Sequence, residues 1–183
     1  MLILSTFNSE YLKSPLQDLI KEFTTESVEI KYVNTNIVGA LIDLQSNLKP
    51  LPSLAVLLRL FDLTGKCEDQ NIKEKLDENL RLVSAQINAL KKEKELPLIV
   101  FLCPSPKNFY DQALFDIEND FLTVLKDNKI HTLTQSDIRK HYLLNKVDNS
   151  VEHETHIPYT PEFYAASAIL LARRLQVLTR RPY

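Results

Sequence analysis

Short apolar runs that alternate with segments of helical periodicity constrain the fold of this chain more than any other feature. The runs are rich in Leu, Ile and Val without strict alternation, as is typical of strands covered on both faces. They comprise residues 2–6, 28–33, 54–60 and 98–103, with a weaker fifth run at 130–133. Such alternation favours a sheet with right-handed crossovers and helices on both faces. We therefore expect a single three-layer α/β/α domain over residues 1–183, built on a mostly parallel five-stranded sheet.

The segments between these runs repeat apolar residues at helical spacing. The predicted helices cover roughly residues 12–23, 37–44, 69–94, 108–126 and 161–178. The last helix has a clear start signal, because Thr160 is a suitable N-cap and Pro161 suits the first helical position. His156 should therefore be held just before this helix, near the strand ends.

The scarcity of glycine excludes a whole class of nucleotide sites. Only Gly39 and Gly65 occur among the 183 residues, whereas an average content of ~7% would give about a dozen. A dinucleotide-binding fingerprint needs three closely spaced glycines, and a Walker A loop needs two. Glycine-dependent nucleotide binding is excluded, and we expect no cofactor.

The charge balance, the lack of a long apolar stretch and the cysteine and histidine spacing exclude further classes of ligand and partner. The 22 Lys and Arg residues nearly balance 24 Asp and Glu residues, so no basic surface for nucleic acid or an anionic membrane is indicated. No apolar stretch approaches the ~18 residues of a membrane span. Cys67 and Cys103 form no Cys-x-x-Cys pair, and His153 with His156 lacks a third ligand. We expect a cytoplasmic protein without a metal site, a nucleic-acid partner or a membrane partner.

Ligands of parallel α/β sheets bind at the carboxyl ends of the strands, where this sequence places several polar residues. Ser5 and Thr6 follow the first run, Asn34 follows the second, and Arg59 interrupts the end of the third. A charge inside an apolar strand is costly unless it is paired, and Asp62 is the obvious partner of Arg59. The sequence leaves two interpretations open: a guanidinium that holds a carboxylate or phosphate ligand, or a structural ion pair that braces the loop.

Two blocks resemble the SGNH (GDSL-like) hydrolases. One is HETHIPYTPEFY at residues 153–164, which resembles the last block of that superfamily, and the other is NTNIVGAL at 34–41, which resembles the second. The resemblance implies a flavodoxin-like strand order. It also implies Ser5 or Thr6 as nucleophile, His156 as general base and Gly39 as an oxyanion-hole amide.

The sequence departs from that pattern in three places. LSTF stands where the first block should read Gly-Asp-Ser, Phe61 stands where a side-chain amide is expected, and His153 replaces the orienting Asp. A triad needs nucleophile, base, orienting carboxylate and preorganised donors together. These departures argue against ordinary esterase catalysis.

A second resemblance covers nearly the whole chain. It rests on four motifs in order: LLRLFDL at 57–63, LCPSP at 102–106, HIPYTPEFYAA at 156–166 and RRPY at 180–183. Together they resemble the amino-terminal domain of FkbH-like proteins of polyketide and nonribosomal-peptide biosynthesis. In that family an SGNH-like domain precedes a haloacid-dehalogenase-like (HAD-like) domain, which is associated with loading glyceryl units onto an acyl carrier protein. Related amino-terminal domains are fused to synthetase modules.

The resemblance implies an accessory or scaffold domain without catalysis of its own, next to a HAD-like or synthetase domain. Its candidate binding residues are Gly39, Asn34, Arg59 and Asp62. The alternative is a divergent serine hydrolase acting on an acyl ester or thioester through Ser5, Thr6 and His156. A third expectation is docking of an acidic acyl carrier protein on the basic end of the last helix, which carries Arg173, Arg174, Arg180 and Arg181.

Overall fold

A computed structural model describes residues 1–47, 50–64, 72–106, 112–144 and 157–179. Its five strands form one sheet in the order β2-β1-β3-β4-β5, with every neighbouring pair parallel. The strands are β1 (Leu2–Ser5), β2 (Glu29–Tyr32), β3 (Leu54–Arg59), β4 (Leu98–Cys103) and β5 (His131–Thr134). The predicted α/β class, parallel five-stranded sheet and flavodoxin-like order are confirmed.

Helices cover both faces of this sheet. They are α1 (Lys13–Ile20), α2 (Ile37–Ser46), α3 (Leu60–Leu63), α4 (Ile72–Lys94), α5 (Gln112–Asp127), α6 (Gln135–His141) and α7 (Pro161–Thr179), with a short 3₁₀ helix at Glu10–Leu12. The predicted start of α7 is confirmed, since the backbone N–H of Phe163 donates to Thr160 Oγ1 at 3.4 Å. Among the described residues, no helix is both long and apolar enough to cross a membrane.

Two apolar cores lie on opposite faces of the sheet, and β3 contributes to both. Ala55 and Leu57 belong to the core beneath α1 and α7. Leu54, Val56 and Leu58 belong to the core beneath α2, α4 and α5. All six residues of β3 are buried, which explains why its sequence does not alternate between apolar and polar residues. Full burial of each large apolar side chain contributes about 1.5–3 kcal/mol.

Two short helices were not predicted. The third strand was expected to reach residue 60, but it ends at Arg59 and α3 begins at once. Helix α6 begins with a capping box, in which Thr134 and Asp137 hydrogen-bond each other's side-chain and backbone groups. The spacing Thr-x-x-Asp before Ile138 was the signal for this helix.

Candidate functional site

The strand order creates a topological switch between β1 and β3. The chain passes from β1 to β2 on one side and then returns to β3 on the other, so the loops after β1 and β3 lead to opposite faces. Crevices at such points are the usual ligand sites of open α/β sheets. Five side chains of this region, Thr6, Arg59, Asp62, Ser105 and Tyr159, form what we call the carboxyl-edge cluster.

The predicted pairing of Arg59 with Asp62 is confirmed. Arg59 donates from Nε at 2.9 Å and from Nη2 at 2.6 Å to Asp62 Oδ1, and the two side chains are only 9% and 8% exposed. The guanidinium carbon also lies 6.0 Å from the ring centroid of Phe7 and 5.5 Å from that of Phe61. The charge is therefore stabilised by a carboxylate and by two aromatic rings, in a region with little access to water.

Thr6 connects this ion pair to the end of β1. Its hydroxyl donates to Asp62 Oδ2 at 2.9 Å and accepts the backbone N–H of Arg59 at 3.0 Å. The residue is 1% exposed. One hydroxyl thus bridges two neighbouring strands and the first turn of α3, which is a structural use of a threonine.

Ser5 is engaged in its own turn. Its hydroxyl donates to the backbone carbonyl of Phe7 at 2.7 Å and accepts the backbone N–H of Phe7 at 3.3 Å. The residue is 0% exposed. This is the local side-chain-to-backbone bonding that serine commonly forms at the start of a turn.

Ser105 and Tyr159 complete the cluster; both lie in motifs of the family resemblance, but neither was a predicted catalytic or binding residue. Ser105 Oγ accepts the backbone N–H of Phe61 at 3.1 Å. The Tyr159 hydroxyl donates to the carbonyl of Pro104, and its ring meets the ring of Phe7 edge-on at 5.1 Å. The sequence signal for Tyr159 is its place between Pro158 and Pro161, just before α7.

Burial shifts the pKa values of two ionisable groups at this edge. It raises the pKa of the Tyr159 phenol well above its usual value, and the pKa of the nearby Cys103 thiol rises for the same reason. Both groups are therefore neutral at physiological pH. A buried neutral thiol is a poor nucleophile, and Cys103 packs as part of the core beneath α1 and α7.

Gly39 and Asn34 lie at the amino end of α2. Asn34 is exposed and has a φ of 49°, a conformation that asparagine tolerates better than most residues. A Cβ at Gly39 would lie 2.3 Å from Asn36 Oδ1, so the glycine leaves room for this side chain. Among the described residues, no hydrogen bond or ion pair joins Asn34 or Gly39 to the carboxyl-edge cluster.

The other predicted site and docking residues, His153, His156, Arg180 and Arg181, lie outside the described residues, as do Gly65 and Cys67. Within the described ranges, no group of three His, Cys, Asp or Glu side chains could hold a metal ion.

A cavity that the sequence did not predict lies at the opposite side of the sheet, where the strands begin. Its volume is about 580 Å³, and its walls come from the amino ends of β1 and β2, the carboxyl end of α2 and the segment before β3. Glu26, Glu29 and Lys31 contribute the charged part of this wall. We call it the amino-edge cavity.

The carboxyl-edge cluster and the amino-edge cavity differ in whether their polar groups leave room for a ligand. In the carboxyl-edge cluster the donors and acceptors bond one another, so the arrangement braces the strand ends, while the amino-edge cavity is open. No family model matches this chain, and no curated protein is significantly similar to it.

Proposed function

We propose that this chain is an SGNH-like accessory or scaffold domain of an FkbH-like protein in polyketide or nonribosomal-peptide biosynthesis, with no catalysis of its own. The order of the four motifs supports the assignment to that pathway class. One observation carries the non-catalytic part: the Thr6 hydroxyl is held between Asp62 and the backbone of Arg59.

A nucleophilic hydroxyl needs an adjacent base and access for the substrate. Ser5 and Thr6 are the two hydroxyls at the end of β1, and both are buried. Each already uses its proton in a hydrogen bond that fixes the backbone or the ion pair. Attack on an acyl group would require that these bonds break and that the surrounding side chains move.

The alternative is a divergent serine hydrolase acting on an acyl ester or thioester. It is favoured by one distance, 2.9 Å between Thr6 Oγ1 and Asp62 Oδ2, because a hydroxyl beside a carboxylate at a topological switch point is also how a nucleophile can be arranged. In that case His156 would assist as general base, as the resemblance implies.

Hydrolysis of short-chain acyl esters and acyl thioesters separates these two functions. We expect the purified chain to release no more acid than buffer does, and Thr6→Val, Ser5→Ala and His156→Ala to behave like the unaltered chain. Turnover that both Thr6→Val and His156→Ala abolish, in variants that remain folded, would establish the hydrolase and reject the scaffold function.

Carrier-protein docking is the partner interaction to test. Arg173 is exposed on α7 and Arg174 is partly exposed beside it, so they could meet an acidic surface. We expect an acyl carrier protein to bind with an affinity that falls as salt increases. Arg173→Ala/Arg180→Ala/Arg181→Ala should weaken this binding, whereas Lys126→Ala on α5 is the matched control. Equal binding by the triple variant would remove this partner.

A further inference from the structure

Strand β2 is an edge strand whose outer side carries backbone groups without a strand partner. The Glu29 N–H donates to the Met1 carbonyl at 3.0 Å and the Val33 N–H to the Ser5 carbonyl at 2.9 Å. The backbone N–H and C=O groups of successive residues point to alternate sides of a strand, in the plane of the sheet. The N–H and C=O groups of Ile30 and Tyr32 therefore face away from β1. In the part of the chain that the structure describes, β2 ends the sheet on this side.

The side chains of β2 divide between two faces. Ile30 packs against the core beneath α1 and α7, and Tyr32 on the same face is 54% exposed. Glu29 and Lys31 are exposed on the other face. Charged residues, especially lysine, commonly protect an edge strand from pairing, but here opposite charges flank Ile30 symmetrically.

That symmetry selects one partner and one register. If a second β2 runs antiparallel about a two-fold axis through Ile30, each Ile30 faces the other, and each Glu29 faces Lys31 of the second copy. The outward N–H and C=O of Ile30 then form the closely bonded pair of an antiparallel ladder, with Cα atoms about 5.5 Å apart. The charged pairs take the neighbouring, closer positions, where opposite charges are favourable.

The next backbone bonds fit the same register. Tyr32 of each copy would lie opposite Val28 of the other, so the outward Tyr32 N–H can donate to the Val28 carbonyl. The Val28 N–H already donates to Gln17 Oε1 at 2.6 Å, so it needs no bond across the axis. This register also places the exposed Tyr32 side chain opposite the apolar Val28 of the other copy, on the face that carries Ile30.

Other registers place like charges opposite each other, or they fail to align the outward backbone groups of the two strands. A shift by one residue places Ile30 opposite Lys31 and sets an outward backbone group against an inward one. Parallel addition of a second β2 in register would place like charges opposite each other. We propose that β2 pairs antiparallel with β2 of a second copy of this chain, which joins two five-stranded sheets into one ten-stranded sheet through a symmetric interface.

Sedimentation velocity up to near-millimolar protein concentration tests this pairing. We expect a monomer–dimer equilibrium in the unaltered chain. Lys31→Glu and Glu29→Lys should each weaken dimerisation by roughly tenfold, because two favourable pairs become two like-charged pairs. A mixture of these two variants should form a heterodimer, and Glu29→Lys/Lys31→Glu in one chain should restore the homodimer. A chain that stays monomeric at all concentrations, or charge variants that dimerise like the unaltered chain, would overturn the proposal.

A proline pair separates loss of pairing from loss of folding. Ile30→Pro removes an outward N–H, and edge strands tolerate proline where the N–H faces solvent. We expect this variant to keep its cooperative unfolding transition and to be monomeric. Lys31→Pro is the matched control, because it removes an N–H that faces β1 and should lower the free energy of unfolding. Dimerisation of folded Ile30→Pro with unchanged affinity would contradict the proposed backbone pairing.

Discussion

Polar side chains at the two ends of the strands differ in their burial and in their bonding. At the carboxyl edge, Arg59 and Asp62 are almost completely buried and bond each other and Thr6. At the amino edge, Glu29 and Lys31 are exposed and line a cavity of about 580 Å³. Polar residues at strand ends therefore do not by themselves make a binding site. Whether such residues form a binding site depends on whether they bond one another or leave space for a ligand.

Desolvation explains why the described polar side chains of the carboxyl edge bond one another. A buried guanidinium must be matched by a carboxylate and further acceptors, because an unpaired buried charge costs several kcal/mol. The rings of Phe7 and Phe61 also lie beside the guanidinium. Opening this cluster for a ligand would expose or separate the pair. Four changes, ordered by expected effect, test this contrast.

The largest effect is expected from Asp62→Ala. Removing the carboxylate takes away the acceptor of both Arg59 Nε and Nη2, which should lower the free energy of unfolding by about 3–5 kcal/mol because the guanidinium is buried. Asp18→Ala is the matched control, since Asp18 also pairs with a cation three residues away but is 68% exposed, and exposed pairs contribute about 0–1 kcal/mol. Urea unfolding measures both. A loss below ~1 kcal/mol for Asp62→Ala would show that the pair does not stabilise this edge.

The Thr6→Val variant should have the next largest effect. Valine keeps the shape but loses the bond to Asp62 and leaves the Arg59 N–H without its acceptor, at a cost of about 1–3 kcal/mol. Thr132→Val on β5 is the control for the same exchange in a strand, and we expect a smaller change there. Equal changes in the two variants would mean that the bridging bonds of Thr6 contribute nothing specific.

Alkaline pH should weaken the carboxyl edge gradually. Burial raises the pKa of Cys103 and Tyr159 in the folded chain, so the unfolded chain loses these protons first. The stabilisation is complete below the unfolded pKa values and is lost as pH rises through them, from about 8.5 for cysteine and 10 for tyrosine. Cys103→Ala should flatten the dependence of unfolding free energy on pH between about 8 and 10. An unchanged slope would contradict the assignment to Cys103.

The smallest effect is expected at the amino edge. Lys31→Ala removes an exposed charge beside the cavity, so the free energy of unfolding should change by no more than about 0.5 kcal/mol in dilute, monomeric protein. A loss above ~1 kcal/mol would show that the amino edge is also held by its polar residues, and the contrast between the two edges would fail.

Much of the fold could be predicted because β1, β3 and β4 are buried on both faces. The continuous apolar runs around Val56 and Val100 predict such strands directly, whereas the strand order came from the family resemblance. The run at 28–33 was expected to be covered in the same way, but three of the four residues of β2 are exposed. Helix α3 was missed because Leu60 continues the apolar run of β3, although the strand ends at Arg59 and the helix begins at Leu60. Helix α6 has a local sequence signal, the capping box of Thr134 and Asp137.

The candidate site was only partly predictable. The Arg59–Asp62 pair could be inferred, because a charge in a buried strand needs a near partner. The bond from Thr6 to Asp62 joins residues 56 positions apart, and the Tyr159 bond to Pro104 spans 55. Such contacts depend on strand order and register, which a single sequence does not specify. The amino-edge cavity arises from the packing of several elements and has no local motif.

The central claim is that the hydroxyls at the end of β1 are structural. Intact-protein mass spectrometry after incubation with a fluorophosphonate tests it most directly, because the reagent adds a fixed mass to an activated serine or threonine. We predict no adduct on the folded chain, and the same result for Ser5→Ala, Thr6→Val and His156→Ala. A stoichiometric adduct that disappears in Thr6→Val or Ser5→Ala, and also in His156→Ala, would contradict the account and identify a hydrolase.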